Sequence, residues 1–379
     1  MNAIISVGGR FWAFHQAEQL NNRNILEYII TTSCRKGKEK IPDEKIRLIR
    51  SPEIISLIFR KLPFFNKATI WNSAKDNLFD ELASSNIDKC DIFIGYASYS
   101  LKTMARAKKL GALTILERGN LHISDQNRLI GEEYEKLGSK FVVNGSLTRK
   151  QLLEYDEADY ICVPCEYIRK SFIDHGFHKD KVFVLSLGVD VSKFKKLPKQ
   201  DNKFRVIYAG GIQARKGIIY LLEAFSKISS LDAELILVGT VYSEMKKVMK
   251  RYDGLYRYYH PVDQSKLIDF YSNSSVFVIP SLDDGFAMVT AEAMACGLPL
   301  IVSQNTGITD VIEENKHCFI VPIRDSDAIA SKIEILYKDR ALLEHMSQEA
   351  QIKSRTLTWD SYGERMLKTY NNLLSDHKE

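Results

Sequence analysis

Pro280-Ser-Leu-Asp-Asp-Gly-Phe-Ala-Met-Val-Thr-Ala-Glu-Ala-Met-Ala-Cys-Gly-Leu-Pro299 follows directly on a short β-rich run, Val276–Ile279. A strand ending at a proline, a glycine-bearing turn and a helix opening near Ala287 read as part of a parallel strand–helix–strand unit. Leu300–Val302 supplies the next strand. The helix mouth offers unpaired N–H groups and the positive end of the helix dipole, which favour phosphate. Asp284 precedes the helix and Glu292 stands eight positions later, inside it. The helical rise puts these carboxylates on the order of 8–12 Å apart. That separation suits two hydroxyl-bearing rings flanking a diphosphate and is too long for an acid/base dyad. It equally fits an N-capping Asp and a solvated helical Glu.

The same alternation runs through the chain. Ala3–Val7, Ile25–Thr31, Asp91–Gly95, Ala112–Leu116, Asp159–Val163 and Lys181–Leu185 read as strands, with helices at Trp12–Asn21, Ser98–Leu110 and near Tyr167–His175. A second series starts after the polar stretch Lys195–Lys203. It has strands at Phe204–Ala209 and Ala233–Val238 and helices at Ile218–Ile228, Lys266–Tyr271 and Val289–Ala295. From Asp325 the pattern is helical, ending in the amphipathic segment Trp359–Leu374. The expected fold is α/β: two Rossmann-like, doubly wound parallel-sheet domains facing a cleft, over residues 1–190 and 203–358. A chain of 379 residues exceeds the size at which one core keeps growing, which agrees with two domains.

Composition narrows the class. With 45% hydrophobic and 27% charged residues the chain is not disordered or collagen-like. A net charge of +5 is too mild for a nucleic-acid binder, so no nucleic-acid partner is expected. The excess is local: residues 35–67 carry ten Lys/Arg against four Asp/Glu. There Glu53–Phe65 interleaves cations with bulky apolar residues, which suggests peripheral contact with anionic membrane, or simply a helix and loop with a basic rim. No export signal is read at the N-terminus. The six cysteines are therefore expected to be reduced, in a cytoplasmic setting or at the inner face of the membrane.

Three further stretches fall at strand carboxyl ends, where ligands of such sheets bind. In Tyr208-Ala-Gly-Gly-Ile-Gln-Ala-Arg-Lys-Gly217, Gly210 and Gly211 allow close approach of an anion, and Arg215 and Lys216 bring positive charge to the helix entrance. Fixed cations there would stabilise a departing diphosphate, although a turn with two solvated basic residues reads the same way. Gly8-Gly9-Arg10 is a glycine turn after the first strand. Glu117-Arg118-Gly-Asn-Leu-His122 places a histidine after Ala112–Leu116.

Taken together these motifs resemble the retaining glycosyltransferases of family 4, which have the GT-B architecture. The resemblance spans nearly the whole chain and is strongest over Phe204–Tyr337. It rests on Asp284 and Glu292 at the spacing of the family's paired carboxylates, on the Gly210–Gly217 loop, on Asn305-Thr-Gly307 and on Gly188-Val-Asp190. It implies a nucleotide-sugar donor, UDP- or GDP-linked, held mainly by the C-terminal domain. The implied acceptor is a glycan or lipid-linked molecule on the N-terminal domain, in surface-polysaccharide assembly. By the same resemblance Glu292 holds the ribose hydroxyls, Asp284 contacts the donor sugar and Lys216 binds the diphosphate. Gly211, Gly285, Phe286, Ala287 and Met288 line the donor site, Phe286 and Ala287 through backbone N–H groups near the sugar and phosphate, His122 borders the sugar, and Gly9 approaches the phosphate. Two positions depart from the family. Asp284 replaces a longer glutamate, and Gly211 stands where an arginine is usual, so Arg215 is expected to supply that charge.

The resemblance implies transfer with retention, the donor diphosphate itself taking the acceptor proton, with neither metal nor cofactor. The terminal helix, about 359–379, is expected to cross back onto the N-terminal domain. Another GT-B enzyme, such as a nucleotide-sugar epimerase, and a non-catalytic nucleotide-sugar-binding paralogue remain open. Two motifs are read as structural. Asp325-Ser-Asp327 precedes a helix and caps it, and the lone Cys162-Val-Pro-Cys165 pair lacks the four ligands of zinc.

Overall fold

The structure is a computed structural model and describes residues 1–9, 11–33, 40–51, 68–228 and 231–378. The first sheet contains β1 (Ala3–Val7), β2 (Leu26–Thr31), β3 (Ile46–Leu48), β4 (Ile92–Tyr96), β5 (Leu113–Glu117), β6 (Tyr160–Val163) and β7 (Val182–Val184). Its order is β3-β2-β1-β4-β5-β6-β7, every pairing parallel. The central strands are buried along their whole length, as Ala-Ile-Ile-Ser-Val in β1, because helices cover both faces. β3 was not expected. It is a three-residue edge strand inside the basic stretch, where Arg47 pairs with Asp88 at 2.8 Å and lies over the Tyr28 ring. The rest of that stretch, 35–39 and 52–67, lies outside the described residues, as does Arg10, and with them most of the surface read as a membrane contact.

The second sheet contains β8 (Phe204–Ala209), β9 (Ala233–Val238), β10 (Arg257–Tyr259), β11 (Val276–Ile279), β12 (Leu300–Ser303) and β13 (Cys318–Val321). Its order, β10-β9-β8-β11-β12-β13, is again wholly parallel. In each sheet the order reverses beside the first strand, at β1/β4 and at β8/β11, and such switch points are where open α/β sheets hold ligands. The helix Trp359–Lys378 packs on Ala13–Asn22 of the first lobe: Trp359 stacks on His15, Arg23 pairs with Asp360, and Tyr370 accepts from Gln16. Val189 and Thr358 pair as a parallel bridge where the chain crosses between lobes. Among the described residues no helix is long and apolar enough to cross a membrane.

The carboxyl ends of the two sheets meet. Residues following β5 touch residues following β11, and the helix Ile123–Lys136 reaches Tyr220 and Arg324 of the second lobe. The junction places the glycine turns of both lobes around one cavity.

Candidate functional site

The loop after β8 is shaped by its last glycine. Gly217 has φ +66°, and a Cβ there would stand 2.0 Å from the Pro280 carbonyl oxygen, so the loop lies flush against the start of the 280–299 stretch. Leu282 N–H donates to Arg215 O at 2.9 Å, locking the two segments together. This brings Lys216 beside Asp284. The ammonium bonds Asp284 Oδ2, the lysine side chain being 14% and the aspartate side chain 12% exposed. Burial by itself would raise the Asp284 carboxyl. Lys216, and then Arg215, outweigh it and hold the group below the usual carboxylate range.

A cavity of about 300 Å³ opens on this pair. Its second-lobe wall is Tyr208–Gly211, Lys216 and Asp284–Val289, and its first-lobe wall includes Trp12, Gly119 and Pro164. Gly211, Gly285, Phe286, Ala287 and Met288 therefore all line it. The helix Met288–Ala295 begins there, entered through Ala287 in the left-handed region at φ 53°. A side chain in that conformation costs on the order of 1 kcal/mol, and it is retained at the cavity wall. Ala287 N–H donates to Asp284 Oδ1 at 3.0 Å, so this donor, expected to face phosphate or sugar, is engaged with the carboxylate instead.

Arg215 is also placed differently from expectation. It does not line the cavity. Its guanidinium bonds the Asp283 carbonyl oxygen, and its charge reaches the cavity only through its field on Asp284 and Lys216. Gly9 stays outside the lining as well, its carbonyl accepting from Thr31 Oγ1 at 3.3 Å. Trp12, three residues on, takes the wall position. His122 does not reach the cavity either. Its ring stacks on His175 at 3.9 Å among Tyr155 and Phe172, and its Nδ1 accepts from Ser124 N–H to cap the helix Ile123–Lys136. Burial, then His175, lower its pKa to about 4, as befits a neutral ring held by packing. The strand end is where the sequence put it, but the ring turns sideways into the lobe.

Glu292, expected at the donor site, lies about one turn into the helix Met288–Ala295 and is not among the residues that line the cavity. Its carboxylate has no hydrogen-bond or ion-pair partner among the described residues, and burial, then the charge of Asp190, push it up to about 7. An unpartnered, half-hidden carboxylate has strong demand for donors such as vicinal hydroxyls.

The lobes close on the cavity by direct contact. A Cβ on Gly285 would stand 2.2 Å from Gly119 O and 2.8 Å from Pro164 Cγ, so only glycine permits this approach. Asp283, fully buried, turns away from the cavity into the first lobe, where Tyr167 and Gln126 donate to it at 2.8 and 2.7 Å. Reading by spacing singled out Asp284 and passed over Asp283, Tyr167 and Trp12. For Trp12 the signal was available: it opens a helix just after the glycine turn of β1. Elsewhere Asp325 caps the helix Ser326–Lys338 by accepting from Ala328 N–H, and Cys162 and Cys165 are buried free thiols. No group of three or more metal-ligating side chains occurs among the described residues.

Residues 190–353 match the family described as glycosyl transferases group 1. The capsular polysaccharide biosynthesis glycosyltransferase CapM of Staphylococcus aureus is 30% identical over 237 residues, covering 56% of this chain and 61% of CapM. A D-inositol 3-phosphate glycosyltransferase of Xylanimonas cellulosilytica is 25% identical, covering 72% of this chain and 65% of that protein. The aligned region thus spans 61–65% of the length of these two relatives. Among solved structures, sucrose-phosphate synthase from Thermosynechococcus elongatus superposes with a TM-score of 0.73 at 17% identity, over 99% of this chain and 100% of that one. Anabaena Alr3699/HepE in complex with UDP superposes with a TM-score of 0.68 at 15% identity, over 98% and 100%. At these identities the likeness is one of fold, and the fold is GT-B.

Proposed function

We propose that this chain, which carries the group 1 glycosyl transferase domain over residues 190–353, moves a sugar from a nucleotide-sugar to a hydroxyl of a glycan or lipid-linked acceptor, with retention at the anomeric carbon. The observation that carries the reading is the Lys216–Asp284 pair, set at a helix mouth on the wall of a cavity that both lobes enclose.

In this reading Lys216 meets the diphosphate together with the N-terminus of Met288–Ala295. Asp284 is released from the ammonium by the arriving anion and accepts from hydroxyls of the sugar. Glu292 accepts from the ribose. As the anomeric C–O bond to the diphosphate breaks, negative charge gathers on the leaving oxygen, and Lys216 stabilises it more than it stabilises the intact donor. The acceptor oxygen bonds the anomeric carbon on the same face, and its proton passes to the departing diphosphate. Contact of Gly285 with Gly119 keeps water from the reacting carbon. The relationship to CapM favours a role in surface-polysaccharide assembly.

Thermal unfolding with UDP, GDP and their sugars, followed by assay of nucleotide release, tests this. One nucleoside diphosphate is expected to raise the melting point of the wild type, and that of Lys216→Ala clearly less at the same concentration. A wild-type protein stabilised by neither overturns the donor site.

A further inference from the structure

Two consecutive carboxylates at the junction face opposite ways. Asp284 turns into the cavity toward Lys216, and Asp283 turns into the first lobe. Asp283 accepts from Leu121 N–H at 3.3 Å, Asn120 Nδ2 at 3.2 Å, Gln126 Nε2 at 2.7 Å and the Tyr167 hydroxyl at 2.8 Å. It is 0% exposed, and no cation forms an ion pair with it among the described residues. All four donors come from the other lobe. A carboxylate buried in this way is tolerated only while such donors are in place, so its satisfaction depends on the lobes being joined.

Tyr167 makes the dependence reach the cavity. Its hydroxyl hydrogen goes to Asp283 Oδ1, and its oxygen accepts from the Asp284 N–H at 2.9 Å. The Asp284 N–H is shared between this first-lobe hydroxyl and Asn305 O of its own lobe at 3.1 Å, and Gly307 N–H donates to Asp284 O at 2.8 Å, so Tyr167 adds a first-lobe restraint to a backbone that the second lobe also holds. The surrounding orientation is fixed too. Arg118 donates to Gln126 Oε1 at 2.9 Å, which leaves the Gln126 amide nitrogen to face Asp283, and Arg215 binds the Asp283 carbonyl oxygen. Surface contacts between lobes would hold them together as well, but they would not touch the peptide of Asp284.

We infer that Asp283 and Tyr167 are positioning residues that complete the setting of the Asp284 carboxylate when the lobes are joined, coupling closure to the donor site. The inference rests on the donor reading given above. When the lobes part, Asp283 exchanges four protein donors for water, Tyr167 leaves the Asp284 N–H to Asn305 O alone, and the loop Asp283–Ala287 loses its first-lobe restraint.

Tyr167→Phe keeps the ring and removes the hydroxyl, and Asp283→Asn keeps the size and removes the charge. Each is compared with the wild type in nucleoside diphosphate affinity, in kcat and KM for nucleotide release from the matching nucleotide-sugar, and in radius of gyration by solution scattering. Tyr167→Phe is expected to bind the nucleoside diphosphate within about threefold of wild type while kcat falls about tenfold or more at little-changed KM. Asp283→Asn is expected to show the same split together with a larger radius of gyration. A Tyr167→Phe enzyme with wild-type kcat, or one whose KM alone changes, overturns the positioning role. Should Asp283→Asn fail to fold, Tyr167→Phe decides alone. Failure of the donor reading looks different: the wild type then binds neither UDP nor GDP. In that event the scattering arm still decides whether these two residues join the lobes, an unchanged radius in both variants ending that claim too.

Discussion

The Lys216 ammonium and the Asp284 carboxylate are paired on the wall of the junction cavity, although they come from the loops after two different strands of the second sheet. The pair sets a competition. A diphosphate must draw the ammonium from a carboxylate already in contact with it, and a sugar hydroxyl gains the carboxylate only once that has happened. The two single substitutions therefore differ in kind. Lys216→Ala is expected to weaken nucleoside diphosphate binding about 10- to 100-fold, the range for a lost hydrogen bond to a charged group. Asp284→Asn is expected to leave that affinity unchanged or tighter, since the ammonium is freed, while sugar transfer falls sharply. Calorimetric titration with the nucleoside diphosphate and a turnover assay on the same two proteins check this. Equal losses of affinity in both would refute the competition.

Glu292 predicts a pH dependence with a definite sign. Its carboxyl is pushed up to about 7, by burial and then by Asp190, from an ordinary value of 4.5. Between those values the folded chain holds a proton that the unfolded chain has lost, so stability falls as pH rises through this window and the penalty is complete above it. The shift corresponds to at most about 3 kcal/mol. Glu292→Gln is expected to match the wild type near pH 4.5 and to exceed it in melting temperature near pH 8. Binding runs the other way, because the carboxylate accepts from both ribose hydroxyls and more strongly than the neutral acid does. Wild-type affinity for the nucleoside diphosphate should rise about tenfold between pH 6 and 8, and that of Glu292→Gln should be weaker and flatter.

How far these elements were legible depended on what each strand and helix buries. β1, β8, β9 and β11 follow from runs of apolar residues, and their limits coincide with the reading because both faces are covered. The helices Ile123–Lys136 and Gly145–Glu157 escaped it, since their buried faces carry Glu133, Gln151 and Glu154, which an apolar period does not register. The short edges β3 and β10 carry exposed residues and give little pattern. At the site, Asp284, Lys216 and the helix mouth could be read because they belong to one local strand–turn–helix segment and its neighbour. The directions of His122 and Arg215 could not, as they are set by aromatic packing within one lobe and by a carbonyl after β11. Asp283 and Tyr167 lie 116 positions apart and meet only when the lobes do.

Arg324 supplies a second lobe-to-lobe contact with a measurable effect. Its guanidinium lies 3.1 Å from Glu133 Oε2 and 3.0 Å from Glu132 Oε2, and Tyr220 donates to Glu133 at 3.0 Å. Glu133 is fully buried. Arg324→Ala leaves the Glu133 carboxylate with the Tyr220 hydroxyl alone of these two partners, and removing one partner of a buried pair costs about 3 kcal/mol or more. A lowered melting temperature is expected, with partial recovery in Arg324→Ala/Glu133→Gln, where no buried charge remains. Additive losses in the double variant would show that the two groups act independently.

Gly285 offers the sharpest separation of lobe contact from folding. No left-handed backbone conformation is required of it, so alanine is excluded there by space alone. The added Cβ would stand 2.2 Å from the Gly119 carbonyl oxygen and 2.8 Å from Pro164 Cγ, and both obstacles belong to the other lobe. Neither sheet needs to deform to relieve the clash if the lobes move apart. Gly285→Ala is therefore expected to keep the far-ultraviolet circular dichroism of the wild type and to show a larger radius of gyration in solution scattering. Nucleotide release from the donor should fall about tenfold or more, because Asp284 loses its first-lobe restraint and water enters. Gly217→Ala is the control, since its clash is with Pro280 O inside the second lobe and its φ of +66° adds strain. That variant should lose stability without opening the lobes. If Gly285→Ala instead unfolds as readily as Gly217→Ala with no change in radius, the close approach of Gly285 and Gly119 serves folding of the chain and not closure over the cavity.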